Sequence, residues 1–201
     1  MMQMTFVALR TAIVTLVLTG LAYPLAMTGL AQVLFPYRAN GSVVTDEKGN
    51  PVGSELIGQA FANPAYFQPR PSAAGTNGYD ASSSSGSNYG VTAAKLKERV
   101  EADAARLRTE NPDAPGPIPG DLLTASGSGL DPHISPEAAV WQVPRVAKAR
   151  HVDAARIAGV LESQVEGRDL GLLGEPRVNV LLLNLALDRQ FGRPEAMAEG
   201  K

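Results

Sequence analysis

Residues 11–37 read TAIVTLVLTGLAYPLAMTGLAQVLFPY, a stretch without one charged side chain. Roughly 20 apolar residues in a helix cross a hydrocarbon layer about 30 Å thick, and this run is longer than that. Tyr23-Pro24 interrupts it, and a kink is expected because Pro24 cannot donate to the carbonyl four residues earlier. Phe35, Tyr37 and Arg38 come where interfacial aromatics and a snorkelling base end a span. A cleaved secretory signal is the competing reading, with Arg10 as its charged region, Thr11 to Ala22 as its apolar core and Gly29-Leu30-Ala31 as the small-residue site. The run continues well past the length of such a signal, which favours a retained anchor. Charge leaves the orientation open, since Arg10 and the terminal amine face Arg38 and Lys48 across the span.

Working outward, the rest of the chain fits one soluble domain of modest core. The apolar fraction, 44%, is ordinary, but aromatics are only 5%, and most of the chain's 20 glycines and 15 prolines fall beyond the anchor and dilute the sequence there. A formal charge of −2 argues against nucleic acid as a partner. Without cysteine there is no disulfide, thiol nucleophile or thiolate metal site, so the fold is independent of redox state.

The domain reads as α+β with more helix than strand. Ser42 to Thr45 suits a short strand before a turn at Gly49-Asn50-Pro51, and Gly53 to Phe61 a short helix or irregular segment. Ala65 to Ser72 cannot be a regular helix, because Pro69 and Pro71 flank Arg70 and enforce extended geometry. Ala73 to Gly90, rich in serine, glycine and asparagine, reads as a solvated loop. Leu96, Val100, Ala104 and Leu107 then form one face of an amphipathic helix that Thr92 caps and Asn111-Pro112 ends. Ser135-Pro136-Glu137 combines cap, first-turn proline and acid, so a helix starts there, with Pro144 kinking or restarting it. Asp153 caps another, with Ile157, Val160, Leu161 and Val165 inward and Gly167 at its end. VNVLLLNLAL, Val178 to Leu187, is too short to span a bilayer and is a buried helix or strand.

Little in these residues amounts to catalysis. His133 and His151 lack the spacing and companions of a metal site. Asp131, His133 and Ser135 have the residue types of a hydrolase triad, which makes a tethered or secreted hydrolase the alternative function, yet Ser135 is already explained as a helix cap. Ser126, Gly127, Ser128 and Gly129 are candidates to cradle a phosphate but lack the lysine and spacing of a P-loop; a tight loop supporting the next helix accounts for them. Arg70, stiffly held between prolines, suits a buried ion pair or a partner contact equally. Arg145, Lys148 and Arg150 read as a solvated basic cluster, and Asn179 and Asn184, inside an apolar run, need backbone partners.

Order adds what single motifs lack. After the anchor come Gly53-Ser54-Glu55-Leu56-Ile57-Gly58-Gln59, Tyr66-Phe67-Gln68-Pro69-Arg70-Pro71-Ser72-Ala73, Tyr79-Asp80-Ala81-Ser82 and Ser85-Gly86-Ser87-Asn88. Beyond them lie Ser126 to Ser135 (SGSGLDPHIS), Gln142 to Arg150 (QVPRVAKAR), Gly174 to Leu181 (GEPRVNVL) and Leu183-Asn184. From Thr11 to about Phe191 this series resembles the C subunits of the Kdp potassium-transporting ATPase. The resemblance implies a non-catalytic subunit of a bacterial high-affinity ATP-driven potassium uptake complex. Such a subunit stabilises the assembly and, as a catalytic chaperone, raises the ATP affinity of the ATP-hydrolysing subunit. It implies ATP as a cofactor of the complex, a potassium-conducting A subunit, an ATP-hydrolysing B subunit and a small F subunit as partners, and membrane lipid around the anchor. It also implies an inner-membrane, single-pass chain. Residues 1–10 are then a cytoplasmic N-terminus, 11–35 the transmembrane helix, 36–192 an extracytoplasmic domain and 193–201 a disordered tail. Arg70, Asp131, His133, Ser135, Gln142, Arg145, Asn179 and Asn184 become the positions expected to contact a partner or fix the fold. The serine-rich loop, part of the series, is then expected to be ordered against a partner. Gly20, Ala22, Ala26 and Gly29 are small enough to let the anchor pack on another helix.

Overall fold

The computed structural model describes residues 2–46 and 48–194, and the apolar run as far as Leu34 lies within a helical segment from Met2 to Leu34. Helix α1 (Met2–Val17) passes through a π turn at Leu18–Ala22 into α2 (Tyr23–Leu34). The wide turn accommodates Pro24. Tyr23 N–H bonds back five residues to Leu18 O, so the ladder is re-registered rather than broken where the proline has no donor. Arg10, expected ahead of the span, lies inside α1, and no residue of this segment is buried. Among the described residues it is the one helix long and apolar enough to cross a membrane. A short helix α3 (Pro36–Ala39) comes next, then strands β1 (Val43–Thr45) and β2 (Pro51–Ser54). Their connection is tied by Asp46 Oδ1, which accepts from Lys48 N at 2.9 Å and Asn50 N at 2.8 Å, with Gly49 supplying the left-handed residue. The chain divides into two compact units, Met1–Val52 and Gly53–Lys201.

In the second unit, residues 55–93 contain no helix or strand. Helix α4 (Ala94–Glu110) carries the expected stripe, with Leu107 buried and Leu96, Val100 and Ala104 half-buried. Thr92 does not cap it: the cap position is Ala93, without a side-chain bond. After a turn of 3₁₀ helix at Gly120–Leu122 come β3 (His133–Ile134), α5 (Pro136–Arg150), α6 (Ala154–Ser163), β4 (Val165–Glu166), β5 (Arg177–Asn179) and α7 (Val180–Phe191). Ser135 Oγ accepts from Ala138 N at 3.0 Å, the cap that the sequence predicts. Pro144 does not restart α5; the residue four earlier, Val140, lies on the exposed face, where water can take the carbonyl that proline leaves without a donor. Asp153 caps α6 through Ala155 N at 2.8 Å. That helix ends at Ser163, short of Gly167, and Val165 is an exposed strand residue rather than a core one.

The run Val178–Leu187 is strand and helix in succession. β5 is the central strand of an antiparallel sheet ordered β3-β5-β4, with Ile134 and Val165 both opposite Val178. Asn179 ends the strand and caps α7, its Oδ1 accepting from Leu182 N at 3.2 Å. Phe67, Trp141, Ile157, Leu161, Leu183 and Leu187 form a single buried cluster with Ile134 and Val178 of the sheet.

The serine-rich loop is fastened to its own chain. Ser84 Oγ donates to Ser128 O at 3.0 Å, Ser85 Oγ to Ala73 O at 3.0 Å, and Ser72 Oγ to Gly129 O at 2.5 Å. At Gly129, φ is +68°, and a Cβ there would sit 2.5 Å from Ser85 O and 2.8 Å from Ala74 N. Polar bonds and close backbone approach thus order a segment with almost no apolar surface. Of the tail expected at 193–201, residues 195–201 lie outside the described residues.

Gly129→Ala tests this packing against Gly116→Ala, since Gly116 has the same φ but open space around it. The Gly116 change should cost ~1 kcal/mol for the left-handed backbone. The Gly129 change should cost roughly 1–3 kcal/mol more for the clash. Chemical denaturation of the detergent-solubilised chain, tracked by the fluorescence of its single tryptophan, Trp141, reads both.

Candidate functional site

Proline rules keep residues 63–72 out of any helix, and among the described residues they pair with no strand. Their backbone N–H and C=O groups still need partners where they are buried. The structure supplies these from side chains of α5 and α7. Gln142 Oε1 accepts from Gln68 N at 2.8 Å while its Nε2 donates to Gln68 O at 3.1 Å. Asn184 does the same for Phe67, with Oδ1 to N at 2.8 Å and Nδ2 to O at 3.0 Å. Each carboxamide replaces one residue of a neighbouring strand. Successive residues of an extended chain turn their polar groups to opposite sides, so Gln68 faces α5 and Phe67 faces α7.

Two arginines extend the clamp. Arg145 Nη1 donates to Pro64 O at 2.5 Å and Tyr66 O at 2.9 Å, its Nε to Asn111 Oδ1 at 2.8 Å, and its Nη2 to Gln142 Oε1 at 2.6 Å. Burial lowers its pKa to about 10, with Glu110 opposing the shift. Arg150 Nε donates to Ala65 O at 2.7 Å, and its Nη2 pairs with Asp188 Oδ1 at 2.8 Å, a contact only 3% and 11% exposed. The Arg150 guanidinium also lies over the Tyr66 ring, whose hydroxyl donates to Asp188 Oδ2 at 2.8 Å. Burial, and then the Asp188 carboxylate, raise the Tyr66 phenol to about 12. The reading of Arg145 and Arg150 as solvated is therefore overturned, and only Lys148 of that cluster is exposed, at 75%. A sequence signal existed: Ala138, Gln142 and Arg145 share one face of α5, the face that carries Trp141 and Val146 inward.

A second node joins Arg70 to the Asp131–Ser135 turn. Arg70 Nη1 meets Asp131 Oδ2 at 3.0 Å in a half-buried ion pair, the first of the two roles open to it. Asp131 Oδ1 accepts from His133 N at 3.0 Å and lies 3.4 Å from His133 Nδ1. Burial pushes the Asp131 carboxyl up, but the hydrogen bonds from His133 and the Arg70 charge outweigh it and hold the group below its ordinary value. Ser135 contributes its Oγ to the α5 cap and its N–H to Asp121 Oδ2 at 2.8 Å. Among the described residues no bond joins His133 to Ser135, so the three residue types do not assemble into a relay. Asn179 Nδ2 donates to Glu55 O at 2.7 Å, tying the strand-to-helix junction to a segment far away in sequence. Ser126 to Gly129 present carbonyls to Ser72 and Ser84, while Leu130 O accepts from Gly58 N at 2.8 Å. Beside Arg70 a cleft of about 600 Å³ is lined by Tyr79, Arg99, Arg106, Asp103 and Glu110, and Arg106 bonds both acids.

The clamp, the Arg70–Asp131 node and the Asn179 junction draw many of their residues from the ordered motif series, and known proteins match the chain over nearly its whole length. The sequence model of the family described as K+-transporting ATPase, c chain (KdpC) matches residues 5–189. The chain belongs to the KdpC family. A potassium-transporting ATPase KdpC subunit of Myxococcus xanthus is 65% identical over 185 residues, covering 92% of this chain and 87% of its own. KdpC subunits of Methylobacterium nodulans and Caulobacter sp. strain K31 are each 57% identical over 187 residues; they cover 88% and 91% of this chain, and 92% and 94% of their own lengths. As a KdpC chain it is an accessory subunit of the K+-transporting ATPase, and hydrolysis belongs to the complex.

Replacing Asn184 by alanine strands Phe67 N and O, and should destabilise the chain by roughly 1–3 kcal/mol for each orphaned group. Gln retains the carboxamide and is the informative comparison in the same denaturation assay. Acid offers a separate check. Because the Asp131 carboxyl is held low in the folded state, its contribution is present above the ordinary aspartate pKa and is lost as pH falls through the folded value. A stability–pH profile should lose part of its acid slope in Asp131→Asn.

Proposed function

We propose that this chain holds a bacterial potassium-transporting ATPase together as its single-pass inner-membrane subunit, N-terminus in the cytoplasm and domain outside. Its partners in this reading are the potassium-conducting A subunit, the ATP-hydrolysing B subunit and the small F subunit. The observation that carries the reading is a family match running from the anchor through the domain, over residues 5–189. Supporting it, the motif residues Gln142, Arg145, Asn179 and Asn184 are engaged in fixing the chain's own backbone, as a rigid docking body requires. The anchor supports it too: none of its residues is buried within this chain, and Ala22, Ala26 and Gly29 fall on one face at helical spacing. Small residues let helix backbones approach closely in lipid, where packing rather than the hydrophobic effect drives association.

The catalytic-chaperone activity fits the same architecture by an indirect route. With ATP in the cytoplasm and the domain outside, a raised ATP affinity of the hydrolysing subunit is transmitted through the anchor and the helices packed on it. That route asks no nucleotide contact of Ser126, Gly127, Ser128 or Gly129.

The test compares the complex with and without this chain, purified through a tag on the ATP-hydrolysing subunit. Without it, the partner subunits should separate in detergent, potassium uptake should fall, and KM for ATP of the remaining ATPase should rise. An intact complex with normal uptake in its absence would refute the assembly role. Saturable ATP binding by the isolated chain would replace the indirect route with a direct one.

A further inference from the structure

The connection between β4 and β5 carries three leucines into solvent. Leu170, Leu172 and Leu173 are 91%, 81% and 61% exposed. This is no slack loop. Asp169 N donates to Leu173 O and Leu173 N to Asp169 O, both at 2.9 Å, while Gly171 N reaches Arg168 O at 3.0 Å and Leu172 N reaches Asp169 O at 3.2 Å. The Arg168–Glu175 ion pair at 2.6 Å braces its base. Leu170 adopts φ +55°, a left-handed conformation that a branched side chain resists and glycine takes freely. The fold therefore maintains a backbone outlier and three exposed apolar side chains at one ordered tip, the combination that marks a functional contact.

The charges around the tip select its occupant. Glu166, Asp169 and Glu175 surround it with Arg168 and Arg177, and both arginines are held in ion pairs: Arg168 to Glu175, and Arg177 to Glu166 at 2.9 Å and Asp169 at 3.5 Å. Such a rim, with more acids than bases, does not fit an anionic lipid surface, which attracts unpaired Lys and Arg. We infer that the Leu170–Leu173 tip is a preformed knob that inserts into an apolar pocket, positively charged at its rim, on another protein subunit of the same ATPase. The inference rests on the assembly role proposed above.

The experiment uses the full-length chain within the complex. Leu170→Gly should leave the melting temperature of the chain unchanged or raise it, since glycine relieves the backbone. It should still weaken retention of the chain by its partners in detergent. The double variant Leu172→Asp/Leu173→Asp should weaken retention roughly tenfold or more, as loss of a central apolar anchor does. A photocrosslinker at position 170 should join the chain to a different protein subunit. Retention unaltered in both variants, while the wild type co-purifies normally, would overturn the knob and leave the assembly role standing. Crosslinks only to lipid or to a second copy would also overturn it. If the wild-type chain itself co-purifies with no partner, both readings fall together.

Discussion

A buried extended chain with no neighbouring strand leaves its backbone donors and acceptors to be satisfied by something else, and Phe67-Gln68, just beyond the turn at Asn63–Tyr66, pose that demand. Pro64, Pro69 and Pro71 exclude the helix that would have satisfied these groups locally. The solution is side-chain carboxamides acting as strand residues: Gln142 on Gln68 and Asn184 on Phe67. Because the two amides come from α5 and α7, the segment also cross-links those helices. Phe67 itself, fully buried, then lies in the apolar cluster that both helices share. Polar satisfaction and apolar burial thus coincide in this segment.

The arginines show why charge can be buried in such a clamp. Arg145 has no carboxylate in hydrogen-bond contact among the described residues, only neutral oxygens, and its lowered pKa reflects the desolvation that results. Its rigid fork places donors on two carbonyls, Pro64 and Tyr66, at once, which a lysine ammonium on a flexible stem does less well. Arg150, by contrast, has a full ionic partner in Asp188 and a ring beneath it. One arginine arranges backbone and the other joins α5 to α7.

How much of this is legible in the sequence depends on the range of the interactions involved. The apolar anchor and the Ser135 and Asp153 caps depend on residues within a few positions of each other, and all were legible. The sheet was not, because its strands of two or three residues are too short to display alternation. The junction at Asn179 was hidden inside a continuous apolar run, although an asparagine ahead of a helical stretch is a recognisable cap. Composition marked residues 73–90 as a solvated loop, and most of 81–90 is exposed, but it could not show the hydroxyls of Ser84 and Ser85 tying that loop to carbonyls near and far in the chain. Arg150 was misplaced for a related reason: its partners Ala65 and Asp188 are distant in sequence, and a local charge cluster cannot reveal them. Gln142, Arg145, Asn179 and Asn184 stood in the ordered motif series, but that they bind the chain's own backbone is visible only in the structure.

The anchor and the domain meet their constraints in opposite ways. Within the domain, Gln142, Arg145, Asn179 and Asn184 are turned inward onto backbone groups, so these side chains serve the chain's own fold. Within the anchor, nothing is buried, and the π turn at Leu18–Ala22 shifts the register of every side chain beyond it. Ala22, Ala26 and Gly29 owe their orientation relative to α1 to that shift, and Pro24 makes the shift necessary. A proline in a membrane helix is tolerated when local re-registration and neighbouring helices restore what it removes. Here the first condition is met inside the chain. A domain that fixes its own backbone and an anchor with nothing buried fit an accessory subunit of the K+-transporting ATPase.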